Sequence, residues 1–196
     1  MKKIILISIF FFLIIPCYVG ASTFFFDPIG KHVLEGEKFT IYLEIKPEND
    51  LVNAVEGSVG FDRDLLKVLE IKKTNSIINI WIKEPEVENG TINFSGIIPG
   101  GFNGVLRPLD KNVYPGILFG ITFEVVGLGS GAVNIENIKA FQNDGLGTEA
   151  ESSVVPFSLD ADRPTNGQGK LWLWIIVFIA IIIMVAYYRK TKNEII

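Results

Sequence analysis

Residues 53–71, NAVEGSVGFDRDLLKVLEI, contain the pattern that decides the fold of this chain. In the first half of the stretch, side chains alternate between two sides, which is typical of a strand with one buried face. The charged triplet that starts at Asp62 then interrupts the pattern, as a polar turn does. A second apolar run begins at Leu65. We therefore predict two strands joined by a short corner, in an antiparallel sheet with one face in water.

The composition of the middle of the chain differs from that of its two ends. Of the 196 residues, 48% are hydrophobic and the mean hydropathy is +0.37, with the apolar excess concentrated near the termini. Residues 22–157 instead carry 11 Lys and Arg against 19 Asp and Glu, a net charge of −8. That charge argues against a nucleic-acid-binding surface. The single cysteine, Cys17, lies in the N-terminal apolar run, so packing rather than disulfides must stabilise the middle.

The first 21 residues have the layout of a secretory signal peptide. A short basic start precedes an apolar run that ends at Ile15, and small residues follow up to Ala21. We predict a signal peptide over residues 1–21 that is cleaved after Ala21. One alternative is an uncleaved membrane anchor. Another is a lipoprotein signal that uses Cys17, although Pro16 directly before it fits that signal poorly.

A second apolar segment runs from Leu171 to Tyr188 without a charged residue. As a helix, this segment spans roughly 27 Å, close to the thickness of the hydrocarbon core of a membrane. Aromatic residues at both of its ends and the basic tail over residues 189–196 predict a single-pass, type I helix with a cytoplasmic C-terminus. A buried core helix is the alternative. The polar residues 158–170 predict a flexible linker, which leaves residues 22–157 as an extracytoplasmic domain.

The domain contains short apolar runs separated by turn signals. In residues 39–45, FTIYLEI, every second side chain is expected to face the core, and the same holds from Ile117 onward in residues 117–126. Residues 80–82 predict a short strand stopped by Pro85, and residues 154–157 predict the last strand. About nine such strands, without a convincing amphipathic helix, predict an all-β, antiparallel β-sandwich. The inward residues expected in the first of these runs are Phe39, Ile41, Leu43 and Ile45.

Five motifs follow one another along the chain: residues 33–41 (VLEGEKFTI), 53–66 (NAVEGSVGFDRDLL), 92–102 (INFSGIIPGGF), 118–123 with 127–131, and 140–145 (AFQNDG). Taken in this order, they resemble the motifs of cohesin domains. The resemblance implies a nine-stranded jelly-roll sandwich of the superfamily that includes carbohydrate-binding modules. It also implies non-catalytic protein–protein attachment to a dockerin-bearing partner, with a link to polysaccharide breakdown. The chain differs in having Arg63 where proline is common, and in pairing a single copy with a membrane anchor.

The outward side of the strand over residues 53–60 suits a flat docking face, because its side chains are mostly small. A face covered by another part of the same chain is the alternative. In cohesins a sheet face that includes this strand holds the dockerin, and Glu56 falls where the family often has an acidic contact. The residues assigned to this face are Ala54, Glu56, Ser58 and Gly60. The net charge of −8 favours a basic partner surface. We predict no cofactor for this chain, and the resemblance implies that any calcium belongs to the partner.

Few residues have the chemistry of a catalytic or metal site. Asp62 and Asp64 are paired acids, as glycosidases require, but a polar strand corner is the simpler interpretation. His32 is the only histidine, which excludes a multi-histidine metal site and makes a histidine-based triad implausible. Asn49-Asp50 and Asn143-Asp144 offer oxygen ligands for calcium, although ordinary turn chemistry explains them more simply. We therefore predict no enzyme activity and no catalytic or metal residue.

Two other functions are alternatives to protein attachment. A carbohydrate-binding module would need an exposed row of aromatic rings, because sugars stack on flat apolar faces. Besides phenylalanines that are expected mainly to face inward, residues 22–157 contain only Tyr42, Trp81 and Tyr114. The remaining alternative is a structural part of an envelope assembly, which would use the fold without a dockerin.

Overall fold

A computed structural model of the chain describes residues 21–48, 51–106, 112–164 and 175–184. The chain divides into two compact units, Met1–Asp162 and Arg163–Ile196. All described strands lie in the first unit, and the second contains an α-helix over residues 175–184. The predicted site residues therefore all belong to the first unit.

The first unit is built from strands, which confirms the all-β class. Fourteen strands are formed by the described residues. Their bounds are β1 Ser22–Asp27, β2 Gly30–Leu34, β3 Lys38–Lys46, β4 Val52–Gly60, β5 Leu66–Lys72, β6 Ile80–Glu88, β7 Thr91–Phe102, β8 Val105–Leu106, β9 Val113–Tyr114, β10 Gly116–Val125, β11 Gly129–Gln142, β12 Glu149–Ala150, β13 Ser152–Val155 and β14 Phe157–Asp162. Three of them (β8, β9 and β12) have only two residues, while β2 and β14 continue β1 and β13 into another sheet. The other nine agree in number with the about nine strands predicted from the sequence.

Two large sheets pack against each other. Sheet 1 has the order β13-β1-β3-β10-β5, and sheet 2 has the order β2-β14-β11-β4-β7-β6, with β12 paired to β11. A separate two-stranded sheet contains β8 and β9. Rings from the two large sheets meet between them, with centroids 5.0 Å apart for Phe94 and Phe119 and 5.7 Å apart for Phe39 and Phe157. The predicted β-sandwich is therefore confirmed.

The prediction of a purely antiparallel arrangement was wrong at one edge of each large sheet. β1 pairs in parallel with β13, and β14 pairs in parallel with β2. The chain passes from sheet 1 to sheet 2 between β1 and β2, and again between β13 and β14. The first segment, β1 with β2, therefore runs beside the last segment, β13 with β14, in both sheets. Because the two segments run in the same direction, they pair in parallel.

The core follows the predicted alternation in β3 but not at the start of β10. The four predicted inward residues of β3 are at most 6% exposed. In β10 the register shifts between Ile117 and Phe119, which marks a β-bulge. Because a bulge adds one residue on one strand, it reverses the sides of the residues before it. Leu118 is therefore fully buried, whereas Ile117, which we expected in the core, is only partly buried.

β6 continues through Pro85, where we expected a short strand to stop. It lies at the edge of sheet 2, so one side of the strand has no neighbour among the described strands. Proline lacks an N–H donor, and an edge strand needs none on its free side. The pairing with β7 is irregular between Lys83 and Glu86, on either side of the proline. The strand therefore accommodates Pro85 instead of ending there.

The sandwich extends beyond residue 157, where we placed the end of the domain. Phe157–Asp162 forms β14, which pairs with β11 and β2. Phe157 and Leu159 are buried, at 0% and 2% exposure. Because their side chains fill the core, the expected linker over residues 158–170 was wrong for residues 158–162.

Several predicted segments fall outside the described residues. They are the signal peptide apart from Ala21, the linker over residues 165–170 and the cytoplasmic tail over residues 189–196. Of the apolar segment 171–188, only the helix over residues 175–184 is described. Within the described ranges, no helix has both the length and the apolarity required to cross a membrane.

Candidate functional site

The strand that carries the four predicted contact residues lies in the middle of sheet 2. β4 pairs with β11 on one side and with β7 on the other, and β7 pairs with β6. We call the side of these four strands that points away from sheet 1 the outer face of sheet 2. Strand register places its side chains in rows across the sheet, where neighbours are close enough to act together.

An apolar row crosses the outer face of sheet 2 near one end. Ala54 lies opposite Phe141 and Ile97, and Ile97 lies opposite Ile80. The side chain of Ile80 is 52% exposed, and the other three residues are partly buried. Adjacent accessible apolar side chains are characteristic of the central part of a protein–protein contact. We call these four residues the apolar row.

The next row on the same face carries charge. Glu56 lies opposite Lys139 and Ser95, and Ser95 lies opposite Lys83. The carboxylate of Glu56 is 3.4 Å from the ammonium of Lys139, and the two side chains are 44% and 46% exposed. A partner that contacts the apolar row would therefore meet charged groups directly beside it. Such a polar border gives orientation to an apolar contact.

Ser58 and Gly60 are less accessible than Glu56. Ser58 is 5% exposed, and its hydroxyl donates a hydrogen bond to the Glu136 carbonyl oxygen, with an Oγ–O distance of 3.1 Å. A carboxylate oxygen of Glu136 lies 2.8 Å from the position that a Cβ on Gly60 would occupy. The Glu136 side chain therefore covers this end of β4. It is Glu136, which is exposed, that offers a polar group to a partner there.

The sequence pointed to β4 but did not identify its neighbours on the face. Ser95 and Ile97 lie in residues 91–98, TINFSGII, whose regular alternation does mark the outward side. In β11 the alternation is broken between Glu136 and Lys139, where Asn137 has a φ of 50°. Glu136 and Lys139 consequently both lie on the outer face of sheet 2, opposite residues of β4, although they are three residues apart in the chain. Residue spacing alone contains no signal for that placement.

The two acids after β4 have the role of a strand corner. The Asp64 N–H donates to Oδ1 of Asp62 at 2.8 Å, and the Leu66 N–H donates to the Asp62 carbonyl oxygen at 2.8 Å. These bonds close the turn between β4 and β5.

The only histidine of the sequence, His32, lies at the surface. Its side chain is 80% exposed, and its Nε2 is 3.7 Å from a carboxylate oxygen of Asp160.

Asn143 and Asp144 bond within and beside the turn that follows β11. Asn143 donates its N–H to a carbonyl oxygen of the neighbouring loop. The Thr148 hydroxyl and the Leu146 N–H both donate to the Asp144 carboxylate, and they hold the pKa of that carboxyl below its usual value. The other predicted calcium pair, Asn49-Asp50, lies outside the described residues. In the part of the chain that is described, no group of three or more His, Cys, Asp or Glu could hold a metal ion.

The three non-phenylalanine aromatic residues of the sandwich do not form one row. Trp81 belongs to sheet 2 and packs against Phe119, with ring centroids 6.4 Å apart. Tyr42 belongs to sheet 1 and lies against Gly120. Tyr114 belongs to the small sheet of β8 and β9. Because each lies in a different sheet, they do not combine into the flat stacking surface that the carbohydrate alternative requires.

Comparison with known proteins gives matches at the level of structure only. No protein-family model matches the chain, and no curated protein matches it in sequence. A non-cellulosomal cohesin from the archaeon Archaeoglobus fulgidus superimposes with a TM-score of 0.57 at 15% identity, over 78% of this chain and 99% of that one. A type I cohesin from Pseudobacteroides cellulosolvens gives a TM-score of 0.56 at 13% identity, over 76% and 96%.

Cohesins from complexes show the same similarity. A chain of a type I cohesin–dockerin complex from Clostridium thermocellum superimposes with a TM-score of 0.53 at 16% identity. The match covers 73% of this chain and 100% of that one. The resemblance of the five sequence motifs and the architecture of the two sheets thus agree. The first unit of this chain has the cohesin fold.

Proposed function

We propose that this protein is a non-catalytic attachment module, a nine-stranded cohesin-type jelly roll that holds a protein partner on the outer face of sheet 2. The observation that carries the proposal is the apolar row beside the Glu56–Lys139 ion pair. The apolar row supplies surface to be buried, and the charged groups beside it select and orient the partner. Nothing in this arrangement needs a metal or a catalytic group on the chain itself.

The partner that we propose carries a dockerin. Type I and scaffoldin cohesins with this fold have been solved in complex with dockerins from Clostridium thermocellum and Acetivibrio cellulolyticus. Because one fold hosts many functions, the likeness of fold supports a partner class and does not fix the partner. The Archaeoglobus fulgidus protein is described as non-cellulosomal, so the fold is also compatible with an attachment role outside a cellulosome.

We further propose that the module is displayed at the cell surface. In this proposal residues 1–21 direct secretion, and the apolar segment 171–188 anchors the chain with residues 189–196 in the cytoplasm. The segment between the end of β14 and the apolar segment is short, so a bound partner would be held near the membrane.

A pull-down with the full-length chain tests the proposed partner. The chain is solubilised in detergent, immobilised, exposed to an extract of the source cells with calcium, and eluted with EDTA. We expect EDTA to release a protein with dockerin-like loop pairs. Ile97→Asp places a charge in the apolar row and should abolish retention, while Glu56→Lys should reduce it. The matched controls are Leu128→Asp and Glu35→Lys, which change exposed residues in turns away from the face.

Three results would overturn the proposal. The first is equal retention by Ile97→Asp and the wild-type chain, which would remove the outer face of sheet 2 as the binding surface. The second is depletion of the chain by insoluble polysaccharide with no retained protein. That result would support the carbohydrate alternative instead. The third is retention of neither a protein nor a polysaccharide, which would support a structural role.

A further inference from the structure

An apolar cleft opens at one side of the sandwich, where the edge strand β5 of sheet 1 faces the edge strand β6 of sheet 2. Its volume is about 310 Å³. The apolar residues that line it are Phe61, Leu66, Val68, Val87 and Val126. Val87 and Val126 remain 45% and 43% exposed, while the Phe61 ring packs edge-on against the core at 5.4 Å from Phe123. The cleft is therefore an accessible continuation of the hydrophobic core, and filling it would bury further apolar surface.

Two cations stand beside this apolar lining. Arg63 and Lys67 both line the cleft and both are exposed. Within the described residues, neither forms an ion pair within 4.0 Å, although Glu124 lies opposite Lys67 in the strand register. Most lysines of the sandwich elsewhere have such a partner, including Lys31, Lys73 and Lys139. Both charged residues of the cleft lining are therefore cations, in a domain with a net charge of −8, and the lining favours a ligand that brings carboxylates to it.

The backbone beside the cleft can also receive a ligand. β5 pairs only with β10 among the described strands, so its other edge has free N–H and C=O groups. An extended peptide can add to such an edge as a further strand. β6 is the poorer acceptor, because Pro85 lacks an N–H group and the strand is irregular around it.

We propose that this cleft is a second protein-binding site, which takes an acidic, extended peptide segment of a partner along the edge of β5. Apolar side chains of the segment enter the cleft, and its carboxylates pair with Arg63 and Lys67. The site is distinct from the outer face of sheet 2. None of its lining residues belongs to the apolar row or to the charged row beside it, which consists of Lys139, Glu56, Ser95 and Lys83. The protein can therefore hold two partners, or one partner at two places.

A defined peptide tests the proposal without knowledge of the natural partner. The probe is a fluorescein-labelled peptide of serine, glutamate, isoleucine, glutamate, valine, glutamate and serine, titrated with the full-length chain in lipid nanodiscs. We expect saturable binding by fluorescence anisotropy. A control peptide with lysines in place of the glutamates should bind about tenfold more weakly or worse, since its charges oppose those of the cleft. Hydrogen exchange of the β5 amides should slow when the acidic peptide is bound.

Matched variants separate the cleft from other surfaces. Val87→Asp places a charge in the cleft and Arg63→Glu/Lys67→Glu reverses its cations, and each should weaken binding about tenfold or more. Leu146→Asp and Lys46→Glu change exposed residues elsewhere and should bind as the wild-type chain does. Absence of saturable binding, or equal binding by Val87→Asp and Leu146→Asp, would overturn the proposal. Neither result would affect retention on the outer face of sheet 2, which Ile97→Asp tests separately.

Discussion

The ammonium of Lys139 lies 3.4 Å from the carboxylate of Glu56, so an ion pair joins β11 and β4 on the outer face of sheet 2. Both side chains are nearly half exposed. Ion pairs in such positions contribute only about 0–1 kcal/mol to stability, because water screens them and two long side chains lose freedom. The pair is therefore a feature of the surface that a partner meets more than a support of the fold.

Exchange of the two charges should separate binding from stability. We expect Glu56→Lys to change the free energy of unfolding in urea by about 1 kcal/mol or less. The double variant Glu56→Lys/Lys139→Glu restores an ion pair with reversed direction, and its stability should return to that of the wild-type chain. Partner retention should stay reduced in both, because the charges are still in the wrong places. A loss of several kcal/mol in the single variant would instead assign Glu56 a structural role.

Phe119 should be among the most sensitive positions of the core. It belongs to sheet 1, is fully buried, and contacts Phe94 and Trp81 of sheet 2 edge-on. Truncation to alanine removes these contacts and leaves a cavity between the sheets. We expect Phe119→Ala to lower the free energy of unfolding by about 3–5 kcal/mol. Leu146→Ala is the control, since Leu146 is 86% exposed, and a similar loss there would contradict the assignment of the core.

Gly127 should tolerate no side chain. A Cβ at this position would lie 2.2 Å from the Asp64 carbonyl oxygen, and backbone cannot move aside as a flexible side chain can. The N–H of Gly127 also donates to the Leu65 carbonyl oxygen, so a shift of the chain would disturb that bond. We expect Gly127→Ala to cost about 1–3 kcal/mol or more in urea unfolding.

Gly145→Ala provides the comparison for this substitution. Gly145 has a φ of 73°, and apart from its two chain neighbours no group lies within 4 Å of the position that an alanine methyl would occupy. Alanine there is therefore strained but does not clash. Its expected cost is about 1–2 kcal/mol, which is the energy of a left-handed conformation for a residue with a Cβ. A larger loss at Gly145 than at Gly127 would show that the chain near Asp64 can move.

Glu44 should make the fold less stable at neutral pH than at mildly acidic pH. Burial raises the pKa of its carboxyl above the ordinary value of 4.5, and the nearby charge of Asp27 raises it further. The folded chain then binds the proton more tightly than the unfolded chain does. The stability that this gives is present below the ordinary pKa and is lost as the pH rises through the raised one.

The substitution Glu44→Gln removes that titration. We expect it to raise the urea midpoint at neutral pH and to have little effect below pH 4.5, where Glu44 is protonated in both states. Asp144→Asn should act in the opposite direction, because hydrogen bonds from Thr148 and Leu146 lower the pKa of Asp144. The stability that the native Asp144 carboxylate gives is present above the ordinary pKa and is lost as the pH falls through the lowered one. Equal effects of Glu44→Gln at both pH values would contradict the assigned shift.

The candidate site was predictable from the sequence only along β4. Ala54 and Glu56 could be placed together because side chains two apart on a strand share a face. Lys139 and Phe141 could not be added, because the bulge at Asn137 changes which residues of β11 face outward. A bulge depends on how two strands fit, so alternation within one strand does not reveal it.

Errors at the ends of elements have similar causes. Pro85 appeared to stop a strand, since proline interrupts a hydrogen-bonded ladder, yet β6 is an edge strand whose free side has no ladder to interrupt. Residues 158–162 looked polar enough for a linker, yet Leu159 and Ala161 alternate into the core. Five residues with two small or apolar positions give too little pattern to distinguish a strand from a linker.

The sequence by itself determined the class of fold, the approximate number of strands and the inward residues of β3, because alternation and turn residues act over a few neighbouring positions. Only the tertiary structure decided that β4 lies between β11 and β7, that strands pair in parallel at one edge of each large sheet, and that a cleft remains between β5 and β6. These features arise from pairing between residues that are distant in the chain. Their energies depend on register and packing between sheets, which no local pattern records.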